Sequence, residues 1–289
     1  MNNQRIYVEE ASRNIGNFMV GRLLPMRKKR QVGPFTFIDH MGPATFGNGT
    51  FMDVDQHPHI GLSTLTYLYE GSIHHKDSIG SDQIIAPGDV GFMTAGSGIT
   101  HTERTPSGLR QTGSFPMHGY QIWVALPKEK EEMDPTFQYL SADQLPVFEK
   151  EGLTIKLVAG TGFGFTSPLA VHSALFMVDV HTTEENTLDI KDQLKGEIAI
   201  VVVKGSVQTG EHEIKAGSML ISNAENECFL RLASDTQLLL FGGEPLPEPR
   251  HLMWNFVSSS KERLQKAKEA WINHKFPKVE GDNTYIKFP

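Results

Sequence analysis

The stretch HPHIGLSTLTYLYEG, residues 57–71, decides the fold. Its apolar and polar residues alternate, it is rich in Thr, Tyr and Leu, and it stops at Glu70-Gly71, so it reads as a half-buried strand running into a turn. It opens on His57-Pro58-His59. Residues two apart on a strand project from the same face, so both imidazoles can aim at one point. With 12 His in 289 residues, such a triplet is expected by chance about 0.5 times, so its setting must carry the reading.

That setting continues in APGDVGFMTAGSGITHTE, residues 86–103. Pro87-Gly88-Asp89 marks a tight turn, Val90 to Thr94 a short strand, and Gly96 and Gly98 a loop. The segment closes on His101-Thr102-Glu103, a second pair two apart. Three imidazoles and a carboxylate then meet at the edges of adjacent strands. Imidazole suits iron, copper, nickel and zinc, and so few protein ligands leave positions open on an octahedral first-row ion. His57, His59, His101 and Glu103 are therefore the expected metal ligands. The donor set does not choose among iron, nickel, copper, manganese, cobalt and zinc.

Working outward, Phe35 to Ile38 reads as a strand stopped by Gly42-Pro43, with His40 a hydrogen-bonded residue near its end. The stretch 71–90 reads as a hairpin turning at Gly80-Ser81-Asp82. His74 and His75 are adjacent, face opposite sides, and cannot both reach one metal, so neither is given a ligand role. From Gly119 to Leu126, Tyr120, Ile122, Val124 and Leu126 alternate against Gln121, Trp123 and Ala125. Neither Gln121 nor Trp123 is expected to be catalytic. Phe46, Phe51, Phe92, Met93 and Phe115 are candidates for an apolar cavity wall, with core packing the plainer role for each.

Residues 128–145 are charged and turn-rich and read as a linker between an N-terminal domain, 1–127, and a C-terminal one, 146–289. Beyond the linker, β-type runs recur at 153–158, 173–180, 197–203, 218–222, 228–233 and 237–241, which predicts a second all-β sandwich or barrel. YEGSI at 69–73 is echoed by VKGSV at 203–207, and IIAPGDVGFMT at 84–94 by EIKAGSMLIS at 213–222, as duplication of one β domain would produce. The second half has only scattered His172, His181 and His212, so it is expected to be metal-free. One helix is predicted at the C-terminal end. Ser259 caps Glu262, and Leu264, Ala267 and Trp271 form one apolar stripe.

A net charge of −7 disfavours nucleic acid as a direct partner. The run Arg27-Lys28-Lys29-Arg30 is short enough to be a solvated turn. The opening MNNQRIYVEE carries no apolar signal segment, no stretch is long enough to span a membrane, and Cys228 stands alone, so a cytoplasmic location is expected.

These motifs resemble the pirin family of the cupin superfamily. VGPFTFIDHMGP at 32–43, residues 57–71, HKDSIGS at 75–81, residues 87–103, HGYQIWVALP at 118–127 and WNFVSSSKERLQKAKEAW at 254–271 carry the likeness. The resemblance implies a bicupin: two antiparallel β-barrel or jelly-roll domains with a C-terminal helix. It also implies a single metal in the N-terminal domain, usually Fe(II), on His57, His59, His101 and Glu103. The ordinary cupin places a glutamate a few residues after its His-x-His; here the next is Glu70, at a turn, so Glu103 takes that role. Two kinds of function follow from the resemblance. One is a quercetin 2,3-dioxygenase, which opens a flavonol with O2 and releases carbon monoxide, with Glu103 as general base. The other is an iron-containing redox sensor or regulatory binding protein with a protein partner.

Overall fold

Short runs of Val, Ile, Leu and aromatic residues separated by Gly and Asp turns leave little room for helix, and the chain folds accordingly. The computed structural model describes residues 5–15 and 18–289. Its strands pair antiparallel and build two units, each around one larger and one four-stranded sheet, with a two-stranded sheet, His251–Met253 and Phe256–Ser258, added to the first. Neither unit is a continuous run of chain. One comprises Ser12–Arg22, Phe37–Ala142 and Pro247–Pro289; the other comprises the residues up to Ala11, Leu23–Thr36 and Asp143–Leu246.

In the first unit, the larger sheet runs in the order Thr136–Leu140, Val90–Thr94, Leu62–Glu70, Ser114–Ala125, Phe35–Gly47, Met19–Leu24, Ala11–Asn14. The smaller sheet runs Asp53–His59, Ile99–Arg104, Ile73–Asp77, Asp82–Ile85. The second unit repeats the plan. Its strands Glu197–Lys204, Ser206–Thr209, His212–Lys215 and Ser218–Asn223 follow each other as Leu62–Glu70, Ile73–Asp77, Asp82–Ile85 and Val90–Thr94 do in the first. The sequence echoes fall on these paired strands. Its core, including Val178, Val180, Ile198, Ile200, Val202, Leu238 and Leu240, lies between its two sheets.

Four details differ from the sequence reading. Residues 57–71 do not form one strand: Asp53–His59 belongs to the small sheet and Leu62–Glu70 to the large one. The chain passes between them at Gly61, where φ is +66° and a Cβ would lie 2.0 Å from the Val257 carbonyl oxygen, so only glycine fits. The strand from Phe35 continues through Gly42-Pro43 to Gly47. A Cβ on Gly42 would stand 2.0 Å from the Met117 carbonyl oxygen, and its absence lets the neighbouring strand approach. The charged stretch 128–145 contains the edge strand Thr136–Leu140, paired with Val90–Thr94. Finally, the helix Lys261–Ile272 is capped by Ser260, which accepts from the Arg263 amide at 3.2 Å, rather than by Ser259. Ser258 and Ser259 are occupied by the buried Glu131 carboxylate, at 2.7 Å from the Ser258 hydroxyl and 2.7 Å from the Ser259 amide.

Leu264, Ala267 and Trp271 form the helix's buried stripe, packed in the first unit against Ile60 and Phe256 with Trp254, Phe276, Tyr285 and Phe288 around them. No helix among the described residues is long and apolar enough to cross a membrane.

Candidate metal centre

The two strands that carry the expected ligands are hydrogen-bonded neighbours. In their antiparallel register His57 stands opposite His101 and His59 opposite Ile99. Ring centroids lie 4.2 Å apart for His57 and His101, 5.0 Å for His59 and His101, and 5.1 Å for His57 and His59. One nitrogen from each of the three falls within 4.8 Å of the others. Glu103 joins an overlapping group with His101 and His75, again within 4.8 Å. The four residues expected from sequence thus fall in two groups that share His101. A register shift between His101 and Glu103 interrupts the pairing with Asp53–His59, while on the other side the regular pairing with Ile73–Asp77 sets Glu103 opposite His75.

His75 was not expected here. Alternation along Ile73–Asp77 holds: His74 points outward, with Nε2 2.5 Å from Asp82, while His75 is buried and points inward. Adjacency forbids both from reaching the site and leaves one free to do so. His75 Nδ1 lies 3.4 Å from His101 Nδ1, and its Nε2 lies 3.2 Å from Asp77 Oδ2.

Hydrogen bonds settle how two imidazoles face the site. A carbonyl can only accept, so His57 Nδ1 donates to the Asp55 carbonyl at 2.7 Å and His59 Nδ1 donates to the Asn255 carbonyl at 3.1 Å. Each ring keeps an unprotonated Nε2, the form a metal binds. Burial pushes His57 down to about 4 and His59 and His101 well below the ordinary imidazole range, with neighbouring imidazoles lowering all three further. All three are neutral at pH 7. Burial also raises Glu103, partly opposed by His75 and by hydrogen bonds from Gln121 and Thr66. Partial burial would raise Asp77 too, but hydrogen bonds from His75 and Ser81 outweigh it and hold the carboxyl below its usual range.

His101 Nε2 is buried without a hydrogen-bond partner. Buried polar atoms are nearly always satisfied, so an orphaned lone pair beside two other neutral imidazoles fits a cation as its partner. The residues present therefore suit a divalent metal. Among the described residues, both such groups lie in the first unit.

The C-terminal segment helps build this centre. Gln56, buried between the Asp55 carbonyl and His57, accepts from the Val279 amide at 2.9 Å and donates to the Asp282 and Thr284 carbonyls at 3.2 Å each. Its own backbone bonds Thr284 Oγ1 at 3.1 Å and the Ile286 amide at 3.0 Å. With Asn255 behind His59, residues some two hundred positions away fix both members of the His-x-His pair.

Of the proposed wall residues, Phe46, Phe51 and Phe115 pack in a core cluster with Met41, Leu68 and Met117, and Met93 packs with Ile99 and Phe137. Phe92 is fully buried. The aromatic rings beside the site are instead Trp123, 5.0 Å from His59 and stacked at 3.9 Å on Phe37, and Phe137, stacked on His75. On the same face of its strand, Gln121 donates to Glu103 Oε1 at 2.8 Å, and Thr66 reaches the same oxygen at 3.4 Å. The i, i+2 relation of Gln121 and Trp123 was the available signal. His40 lies away from this group, its Nε2 2.9 Å from His118 Nε2. Glu70 is exposed at its strand end, as expected.

The Pirin family model matches residues 17–124, and the model of the pirin C-terminal cupin domain matches residues 177–277. A pirin-like protein of Caulobacter vibrioides is 47% identical over 263 residues, 90% of either chain. The chain belongs to the pirin family. Among solved structures, the crystal structure of a quercetin 2,3-dioxygenase from Acinetobacter baumannii is similar at a TM-score of 0.89 and 37% identity, covering 99% of this chain and 94% of that one. A bacterial pirin from Escherichia coli, solved in complex with nickel(II), shares the fold at a TM-score of 0.67 and 21% identity, covering 84% of this chain and all of that one. Family membership and two cupin-type units agree with the resemblance read from the motifs.

Proposed function

We propose that this pirin is a metal-dependent dioxygenase that opens a flavonol with O2 and releases carbon monoxide, using Fe(II) held by His57, His59, His101 and Glu103. The observation that carries the reading is the convergence of three neutral, buried imidazoles on a point flanked by a carboxylate. The likeness to a quercetin 2,3-dioxygenase supports the substrate class. The donor set also accepts nickel and other divalent ions.

A bound divalent ion supplies Lewis acidity, lowering the pKa of a coordinated hydroxyl. The chain supplies the rest. Thr66 donates to Gln121 Oε1 at 2.8 Å and Gln121 donates to Glu103 Oε1 at 2.8 Å, which orients the carboxylate and leaves Oε2 to take the proton of the flavonol 3-hydroxyl. Burial raises the Glu103 pKa and so strengthens it as a base at neutral pH. The stacked pair Phe37 and Trp123 presents apolar surface beside His59 and excludes water from that side.

The test is anaerobic reconstitution with Fe(II), then quercetin and air, following flavonol absorbance and carbon monoxide. Wild type should consume quercetin. Glu103→Gln should lose about 10²–10⁴ in kcat, the usual contribution of a general base, and His101→Ala should lose turnover with its metal. Stoichiometric metal without flavonol loss would refute the substrate and point to a redox or structural switch acting on a protein partner.

A further inference from the structure

The chain Asp77, His75, His101 is not required by any ligand set drawn from the sequence, yet its members are aligned. Asp77 stands opposite His101 in the strand register, and Glu103 opposite His75. Asp77 Oδ1 accepts the Ile79 and Ser81 amides at 3.1 and 2.9 Å, which fixes the carboxylate in the turn that closes the hairpin. Its other oxygen faces His75 Nε2 at 3.2 Å. The His75 ring is held in plane by stacking on Phe137, with centroids 4.4 Å apart and planes at 12°. Its Nδ1 then meets His101 Nδ1 at 3.4 Å.

Two facing imidazole nitrogens make a hydrogen bond only if one carries a proton and the other does not. A carboxylate is acceptor-only, so the proton of a neutral His75 sits on Nε2, toward Asp77, and its Nδ1 is a bare acceptor. His101 must then donate from Nδ1. That leaves the His101 lone pair on Nε2, the buried atom without a partner. His57 and His59 obtain the same outcome from backbone carbonyls, which cannot reverse. His101 alone depends on side chains.

We propose that Asp77 and His75 are positioning residues that lock His101 in its Nδ1-protonated tautomer, with Nε2 free for the metal. The inference rests on His101 being a ligand. It predicts that the two side chains act in series: Asp77 governs His75, and His75 governs His101. Partners behind a ligating imidazole commonly change metal affinity by about ten- to a hundredfold.

The test is Ni(II) titration against a competing chelator for the full chain and its Asp77→Asn, His75→Phe and His101→Ala variants, with imidazole 15N NMR of metal-free wild type and Asp77→Asn. Asp77→Asn keeps an oxygen for the Ile79 and Ser81 amides while turning an NH2 donor toward His75. His75→Phe keeps the stack on Phe137. Asp77→Asn and His75→Phe should each bind Ni(II) about ten- to a hundredfold more weakly. The His101 proton should sit on Nδ1 in wild type and shift to Nε2 in Asp77→Asn, a change that mere loosening of the fold would not produce. A wild-type His101 already protonated on Nε2 overturns the proposal. So does wild-type affinity in both variants when His101→Ala has lost the metal, and so does loss of binding in His75→Phe alone, which makes His75 itself a ligand. If His101→Ala binds Ni(II) as tightly as wild type, the ligand assignment falls as well.

Discussion

His118 shows how far burial and a neighbouring imidazole move a histidine in this chain, away from the His57, His59 and His101 group. His118 is half-buried on its strand, opposite Glu70, with Nε2 2.9 Å from His40 Nε2 and the rings of Tyr69 and His40 within about 5 Å. Burial first, and the His40 charge second, lower it to about 4. In the unfolded chain it titrates near the ordinary value of about 6.5. Between these two values the unfolded state holds the extra proton, so stability falls as pH drops from about 6.5 toward 4. Urea midpoints at pH 7 and pH 5 should therefore differ less in His118→Gln than in wild type. An undiminished difference would show that His118 is not among the groups responsible. At this scale the sequence was legible where a rule acts along one strand. His57 and His59, and His101 and Glu103, are paired by period two. His75 was lost because the same rule was applied to the pair His74-His75 instead of to His75 alone, and the Asp two residues on, at 77, was the signal that could have recovered it.

Among elements, the strand Asp53–His59, which carries the His-x-His pair, depends on the segment that follows the second sheet system in sequence. Trp271 stacks on Tyr285 at 4.4 Å and donates to the Ile286 carbonyl at 2.9 Å, so the C-terminal helix holds the tail that in turn brackets Gln56. Truncating Gln56 to Ala strands the Val279 amide and the Asp282 and Thr284 carbonyls. One buried group left unsatisfied costs about 1–3 kcal/mol. Gln56→Ala should lose stability of that order in urea denaturation and should weaken metal binding, because the strand carrying His57 loses its anchor. Unchanged metal affinity in a destabilised Gln56→Ala would mean that the strand holds its shape without the tail. None of this bracket could be read from the sequence. Its partners are more than two hundred residues apart, and no periodicity reports a contact of that range. Strand existence was easier to read than strand continuity. The six runs predicted in the second half all appear, whereas the break at Ile60-Gly61 depends on the Val257 carbonyl, which only the folded chain brings near.

On the scale of the whole molecule, duplication left two units with one plan and unequal chemistry. The strands of the second unit that correspond to the ligand strands, Asn186–Asp189 and Phe229–Leu232, read NTLD and FLRL. They offer apolar residues to the core, such as Leu188, Leu230 and Leu232, where the first unit offers imidazoles. One copy is free to serve as packed scaffold while the other keeps three neutral histidines and a buried carboxylate out of water, an arrangement that costs stability unless a cation completes it. The proposed function requires a single metal among His57, His59, His101 and Glu103. Anomalous diffraction at the iron edge from crystals of the Fe(II)-loaded protein tests it most directly. One strong peak per chain is expected, within bonding distance of Nε2 of the three histidines and of a Glu103 oxygen. A peak in the second unit, or one bound through His75 in place of His57 and His59, would contradict it.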